Sequence, residues 1–459
     1  MSVFTLNESS FFGRASQNTL SIFLNFNENS HGKMESEVEH KVRHILGIQT
    51  PERLNTHIKR DDWDDVIRDY SDQVIALDTS KKQYDLFILY LSGFFHELRH
   101  AHDLMATCYG QDILFTLANS YQNSAAILNE LKDWQVKTGQ PIPVPLPSTD
   151  NWAGLSQDAR TVCIRYKERI SEIQKYQTPL DRPASLSITD LLETSAVNAQ
   201  IEFIHDILGR EAAEHCYALI AKSPAAKKYL KCRTSVVDHL SADGITGIET
   251  KAINYIIWAS LMAMKPNKGN MSLSIHPCII FQGIVECLSR KSGYVGIEET
   301  STAIKTFCNE WGLILPMEMA KYYSSISEKR LASIPKDSNS LLAKSFEGLR
   351  DSFQLMQNII EELPDLYFNL NHYPWAIRDG YLPSVLVRTR SSSSNHDYLT
   401  SGIRTLNHDD WILLDVLGST MHILTYGFGS LDDNDYEQTI ISAIQNSRDH
   451  KFFFHDSFF

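Results

Sequence analysis

No C-x-x-C pair occurs in this chain of 459 residues. Its seven cysteines, at 108, 163, 216, 232, 278, 287 and 308, are odd in number and scattered, which excludes a zinc ribbon and a disulfide scaffold. Free thiols suit a reducing compartment. Positive charge is also short: 43 Lys and Arg stand against 56 Asp and Glu, a net charge of -13. Nucleic-acid binders carry basic patches, so that class is not expected. Nor is there a long apolar run. The longest uncharged apolar stretch, "AINYIIWASLMAM" at 252–264, is too short to span a bilayer and reads as a core helix. The N-terminus "MSVFTLNESSFFGRAS" lacks a basic region followed by an apolar one, so no signal peptide is expected. These absences predict a cytoplasmic protein with no nucleic-acid and no membrane partner.

What is present is helix. The chain is 43% hydrophobic, ample for a large core. Strands are predicted at 19–26 and 73–78. Helices are predicted at 34–47, 82–109 (closed by Gly110), 111–136, 156–176, 188–208, 249–264, 277–290, 298–311 and 340–363. The proline-rich stretch 139–151, "GQPIPVPLPSTDN", is an ordered crossing loop or a linker. Residues 383–398 read as a strand running into a serine loop. The expected class is mainly α (α+β): a small N-terminal sheet, a helix bearing a site, and a large helical C-terminal part. Residues 1–210 would carry the site. Residues 211–459 would select substrate or bind a protein partner.

The helix at 82–109 contains "FFHELRHAHD". On a wheel at about 100° per residue, His100 falls about 40° from His96, Glu97 about 100° away, and Asp103 about 20° on the other side. Leu91, Phe94, Phe95, Leu98, Ala101 and Met105 form the opposite, apolar side. Gly93 leaves room one turn before His96. Two imidazoles at i and i+4 reach one ion, and the glutamate beside the first reaches a metal-bound water. Zinc lowers the pKa of that water to about 7, so a carboxylate can take its proton. His102 lies about 160° from His100 and is read as a packing or surface residue. Asp103 suits a partner to a ligand histidine, or the helix surface. The plain alternative for the whole stretch is an amphipathic helix with solvated histidines.

"FFHELRH" resembles the active-site helix of the zincin metallopeptidases. That resemblance implies a Zn2+ cofactor, His96 and His100 as metal ligands, Glu97 as the general base, a peptide or protein substrate, and a small sheet before the helix. Arg99 departs from the usual uncharged position. Asp103 and Ala106 stand where the metzincin pattern has Gly and His, which excludes that type of third ligand. Gluzincins take a glutamate from a later helix. Glu193, in "ITDLLETSAVNAQIEFIHDILG" at 188–209, fits best because Thr194, Ser195 and Ala196 after it let a second helix approach. Asp190 and Asp103 are the reserves, and Thr189 or Asp190 is the expected cap. Tyr109, His205 and Tyr373 are candidates for a donor to the oxyanion.

Two other classes compete. Glu97–His100 and Glu202–His205 are both E-x-x-H turns, which in a helix bundle bind paired iron or manganese. Glu168 or Glu172 and an acid from 61–65 would complete that site. On the wheel, however, Glu202 lies about 180° from Glu193. The third class is a non-catalytic scaffold with a degenerate metal site.

Overall fold

A computed structural model of the chain describes residues 81–319 with short breaks. It also describes 13–15, 22–25, parts of 35–42 and 321–325, and 385–388, 396–399 and 421–427. The fold is mainly α with small sheets. Strands β1 (Gly13–Ala15) and β2 (Ile22–Asn25) come first. Helices α1 (Lys81–Met105), α2 (Cys108–Thr138), α3 (Gln157–Gln177), α4 (Ile188–Leu208), α5 (Arg210–Lys222) and α6 (Ala226–Ala242) follow. Then come β3 (Ile245–Ile248), α7 (Thr250–Met262), α8 (Pro277–Ser289), β4 (Gly293–Val295), α9 (Ile297–Trp311), β5 (Val385–Arg388) and β6 (His396–Leu399).

The expected N-terminal sheet exists as β1–β2, but distant strands complete it: the order is β1-β2-β5-β6. β2 pairs with β5 in parallel, and the outer pairs are antiparallel. β3 and β4 form a separate parallel pair. β1 and β2 lie beside α1. The strand expected at 73–78 and the helix expected at 340–363 fall outside the described residues.

The long helix expected over 82–109 ends earlier than Gly110. Thr107 is extended, and its hydroxyl accepts from the Gly110 N–H at 3.0 Å, capping α2. A Cβ at Gly110 would overlap the Leu104 backbone, so only glycine allows the chain to turn so tightly here. Gly110 therefore begins α2 rather than closing α1. The segments α5 and α6, and strands β3 and β4, carried no sequence expectation. Gly209, at φ 80°, makes the turn from α4 to α5.

One apolar core runs from Leu104 and Tyr109 through Leu191 and Leu192 of α4 to Ile256, Phe281 and Phe307 of α7–α9. The proline-rich stretch is an ordered crossing loop where described. Ile142, Val144 and Leu146 pack on that core, and the Leu146 N–H donates to the Leu424 carbonyl at 2.7 Å.

Helix α4 begins where sequence reasoning placed it, but Ser187 is the cap. Its hydroxyl accepts from the Asp190 N–H at 3.2 Å, and Asp190 accepts from the Ser187 N–H at 2.7 Å. This reciprocal pair satisfies two amides that helix geometry leaves without partners. Ser187→Ala should lower unfolding stability by about 1 kcal/mol. Urea denaturation checks this, and an unchanged midpoint would contradict it.

Candidate metal centre

Helices α1 and α4 run antiparallel. As the position in α1 rises from Ser92 to Arg99 to His100, the partner in α4 falls from Gln200 to Ser195 to Glu193. Phe95 stacks on Phe203, with ring centroids 3.4 Å apart. The apolar side of α1 is buried as expected at Leu91, Phe94, Phe95 and Leu98. Its polar side is buried too, because α4 covers it. His96 and His100 are only 6% and 5% exposed, so the solvated amphipathic helix does not describe this segment.

Three donor atoms converge at this crossing. His96 Nε2 lies 3.2 Å from His100 Nε2 and 3.2 Å from Glu193 Oε2. His100 Nε2 lies 3.6 Å from the same oxygen. Tetrahedral zinc with bonds of 2.0–2.1 Å requires ligand atoms about 3.3–3.5 Å apart. The observed spacing brackets that value, and two imidazoles with one carboxylate are a common zinc donor set. The residues therefore fit the ion. Among the described residues this is the one group of three or more potential ligands.

Neighbouring groups hold Glu193 and His96. Glu193 is 1% exposed, and its Oε1 pairs with Lys228 Nζ at 3.3 Å. One carboxylate oxygen is thus held by the lysine while the other faces the histidines. Tyr229, buried, meets the His96 ring edge-on at 5.7 Å between centroids. Its carbonyl accepts from the Thr194 hydroxyl at 3.2 Å, which ties the first turn of α6 to α4 beside Glu193. Lys228 and Tyr229 were missed from sequence, because nothing in their spacing refers to the motif.

Glu97 is buried, outside the ligand group, and near enough to His100 to act on its proton affinity. Both reserve ligands are engaged elsewhere. Asp190 accepts from the Ser187 N–H in the capping box and pairs with Lys231 at 2.9 Å. Asp103 pairs with Arg99 at 3.1 Å, both buried. His102 is packed inside, and burial together with the Arg99 charge holds its pKa well below the ordinary range, so it stays neutral. Of the oxyanion candidates, Tyr109 belongs to the apolar core. The His205 side chain is 53% exposed with Asp206 at 3.5 Å, and Tyr373 lies outside the described residues. Glu202 and His205 do not join the ligand group. Residues 61–65 and the Glu172 side chain lie outside the described residues.

Burial lowers the pKa of His100, but the hydrogen bond and charge of Glu193, with the charges of Glu97 and Asp103, outweigh it and raise the pKa above 6.5. For Glu193, burial pushes the carboxyl up, yet hydrogen bonds and charge from His100 and His96 prevail and hold it far below its ordinary range. Metal ligation needs a neutral imidazole. Protons therefore compete with metal, and apparent zinc affinity should fall as pH drops through the raised His100 value, roughly tenfold per unit for one displaced proton. Chelator competition from about pH 8 to about pH 5.5 tests this; a flat profile would count against His100 as a ligand. In metal-free protein the stability from this raised pKa has the opposite trend. It is fully present below pH 6.5 and is lost as pH rises through the folded-state value.

No protein-family model, curated protein or solved structure matches the chain, so geometry alone carries the functional reading. No helix among the described residues is long and apolar enough to cross a membrane.

Proposed function

We propose that this protein is a zinc-dependent metallopeptidase. The observation that carries the reading is the convergence of His96, His100 and Glu193 from two helices at zinc-like spacing, with the buried carboxylate of Glu97 beside them. Zinc, when bound, supplies a Lewis acid for a peptide carbonyl and a water acidic enough to lose a proton near neutral pH. His96, His100 and Glu193 would hold the ion. Three protein donors would match the ligand count of a catalytic zinc site rather than that of a closed structural one.

Glu97 takes the proton from the attacking water and returns it to the leaving amine. Its placement one residue after His96 puts it at the flank of the ligand pair rather than within it. Lys228 keeps Glu193 on one oxygen, and burial of the site excludes bulk water, which strengthens each of these interactions. The substrate is a protein or peptide, and a cytoplasmic setting suits cysteines that form no disulfide. The region after 210 selects substrate or binds a partner. The deciding experiment is metal analysis of purified protein together with cleavage of an unbiased peptide library. One zinc per chain and chelator-sensitive cleavage support the proposal. Zinc without cleavage would favour the non-catalytic scaffold, and no metal would remove the peptidase reading.

A further inference from the structure

The residue between the two histidines that departs from the usual zincin pattern has a defined place. Arg99 is fully buried, and its Nε lies 2.8 Å from Ser195 Oγ and 3.1 Å from Asp103 Oδ1. Asp103 sits one turn further along α1, and Ser195 lies on α4 two residues after Glu193. Burying a guanidinium for packing alone is unfavourable, since an apolar side chain of similar volume would serve at least as well. What the arginine supplies is direction. Asp103 supplies a counter-charge within α1, and the Nε–H donates to Ser195 across the helix pair. That bond joins the neighbour of His100 to the near neighbour of Glu193.

The geometry points to Arg99, Asp103 and Ser195 as a positioning cluster that sets the distance between the histidine pair on α1 and the glutamate on α4. The inference rests on reading His96, His100 and Glu193 as a metal site. Arg99 does not touch the metal; it acts through the register of the two helices. A ligand displaced by a few tenths of an ångström leaves the narrow range of zinc bond lengths, so affinity responds before the fold does.

The same helix pair contains a comparison bond. Gln200 Nε2 donates to Ser92 Oγ at 2.8 Å, also buried, with Ser92 one turn before His96 and Gln200 two turns after Glu193. Removing either bond should loosen the α1–α4 contact, but only the Arg99–Ser195 bond adjoins ligands on both helices. The experiment compares Ser195→Ala with Ser92→Ala. Zinc affinity is read by chelator competition, the visible spectrum is read after cobalt replacement, and apo-protein stability is read in urea. Both variants should lose stability to a similar degree. Ser195→Ala should bind zinc about tenfold more weakly and change the cobalt spectrum. Ser92→Ala should stay within about twofold of wild type on both metal readings, since its bond reaches α4 at Gln200, two turns from Glu193. Ser195→Thr, which retains the hydroxyl, should restore the affinity. If Ser195→Ala does not fold, Arg99→Lys, which keeps the charge beside Asp103 but shortens the reach to Ser195, carries the same comparison. Equal zinc affinity and equal spectra for the Ser195 and Ser92 variants would overturn the positioning role while leaving the metal site standing. A wild-type protein that binds neither zinc nor cobalt would overturn the metal site itself.

Discussion

His96→Ala, His100→Ala and Glu193→Gln should each strip the protein of zinc under conditions where the wild type retains one ion per chain. Structural zinc sites bind with apparent free energies of about 10–16 kcal/mol, so a single ligand accounts for about 3–5 kcal/mol. That is a loss of roughly a hundredfold to a few thousandfold in affinity. The deletion is severe here because the three residues are buried, so bulk water does not readily replace a lost ligand. Glu202→Gln and His205→Ala should leave zinc content near one per chain, because neither residue belongs to the ligand group. Elemental analysis of the five variants beside wild type distinguishes the readings. Loss of two irons or manganeses on changing Glu202 or His205, with Glu193→Gln silent, would establish the paired-metal alternative. Full retention of zinc by Glu193→Gln would remove the third ligand.

Glu97→Gln should behave differently from all of these. The amide has the shape of the carboxylate but cannot accept a proton from water. Zinc content and stability should stay near wild type, while cleavage of any substrate found should fall by about 10²–10⁴-fold, the range for loss of a positioned general base. A variant that keeps its zinc and its full activity would show that Glu97 is not the base. A variant that loses zinc would show that Glu97 acts on the ligands instead, for example through His100, whose proton affinity it already raises.

The cysteines beside the two site helices are held neutral by burial. Cys216 and Cys232 are buried near the two site helices, and burial pushes the Cys216 thiol up to about 12 and the Cys232 thiol higher still. Neither is a thiolate near neutral pH in the metal-free protein, so neither is an activated nucleophile.

Much of the site was legible locally. The i, i+4 spacing of His96 and His100 is a property of any α-helix, and the apolar residues on the other side of α1 made the helix itself legible. The limits of α4 were equally plain, since a polar SIT-D start and a glycine end enclose an apolar run. Sequence could not tell whether the polar side of α1 faced water or another helix. Amphipathic periodicity records a difference between two sides, and a buried polar site produces the same record as a solvated surface. Arg99 looked like a departure for that reason; its partner, Ser195, is legible only once α4 lies alongside.

The sequence by itself determined the mainly helical class, the two histidines on one side of one helix, and the acid beside them, because each depends on residues within a few turns. The tertiary structure decided the rest. Glu193 rather than Asp190 or Asp103 faces the histidines because α1 and α4 cross antiparallel, while Ser187 and Arg99 engage the two aspartates. Lys228 and Tyr229 reach the site because the start of α6 is tied to Thr194. Helical periodicity is written in neighbouring residues, whereas the meeting of three ligand atoms depends on how separate helices pack, which no local spacing encodes.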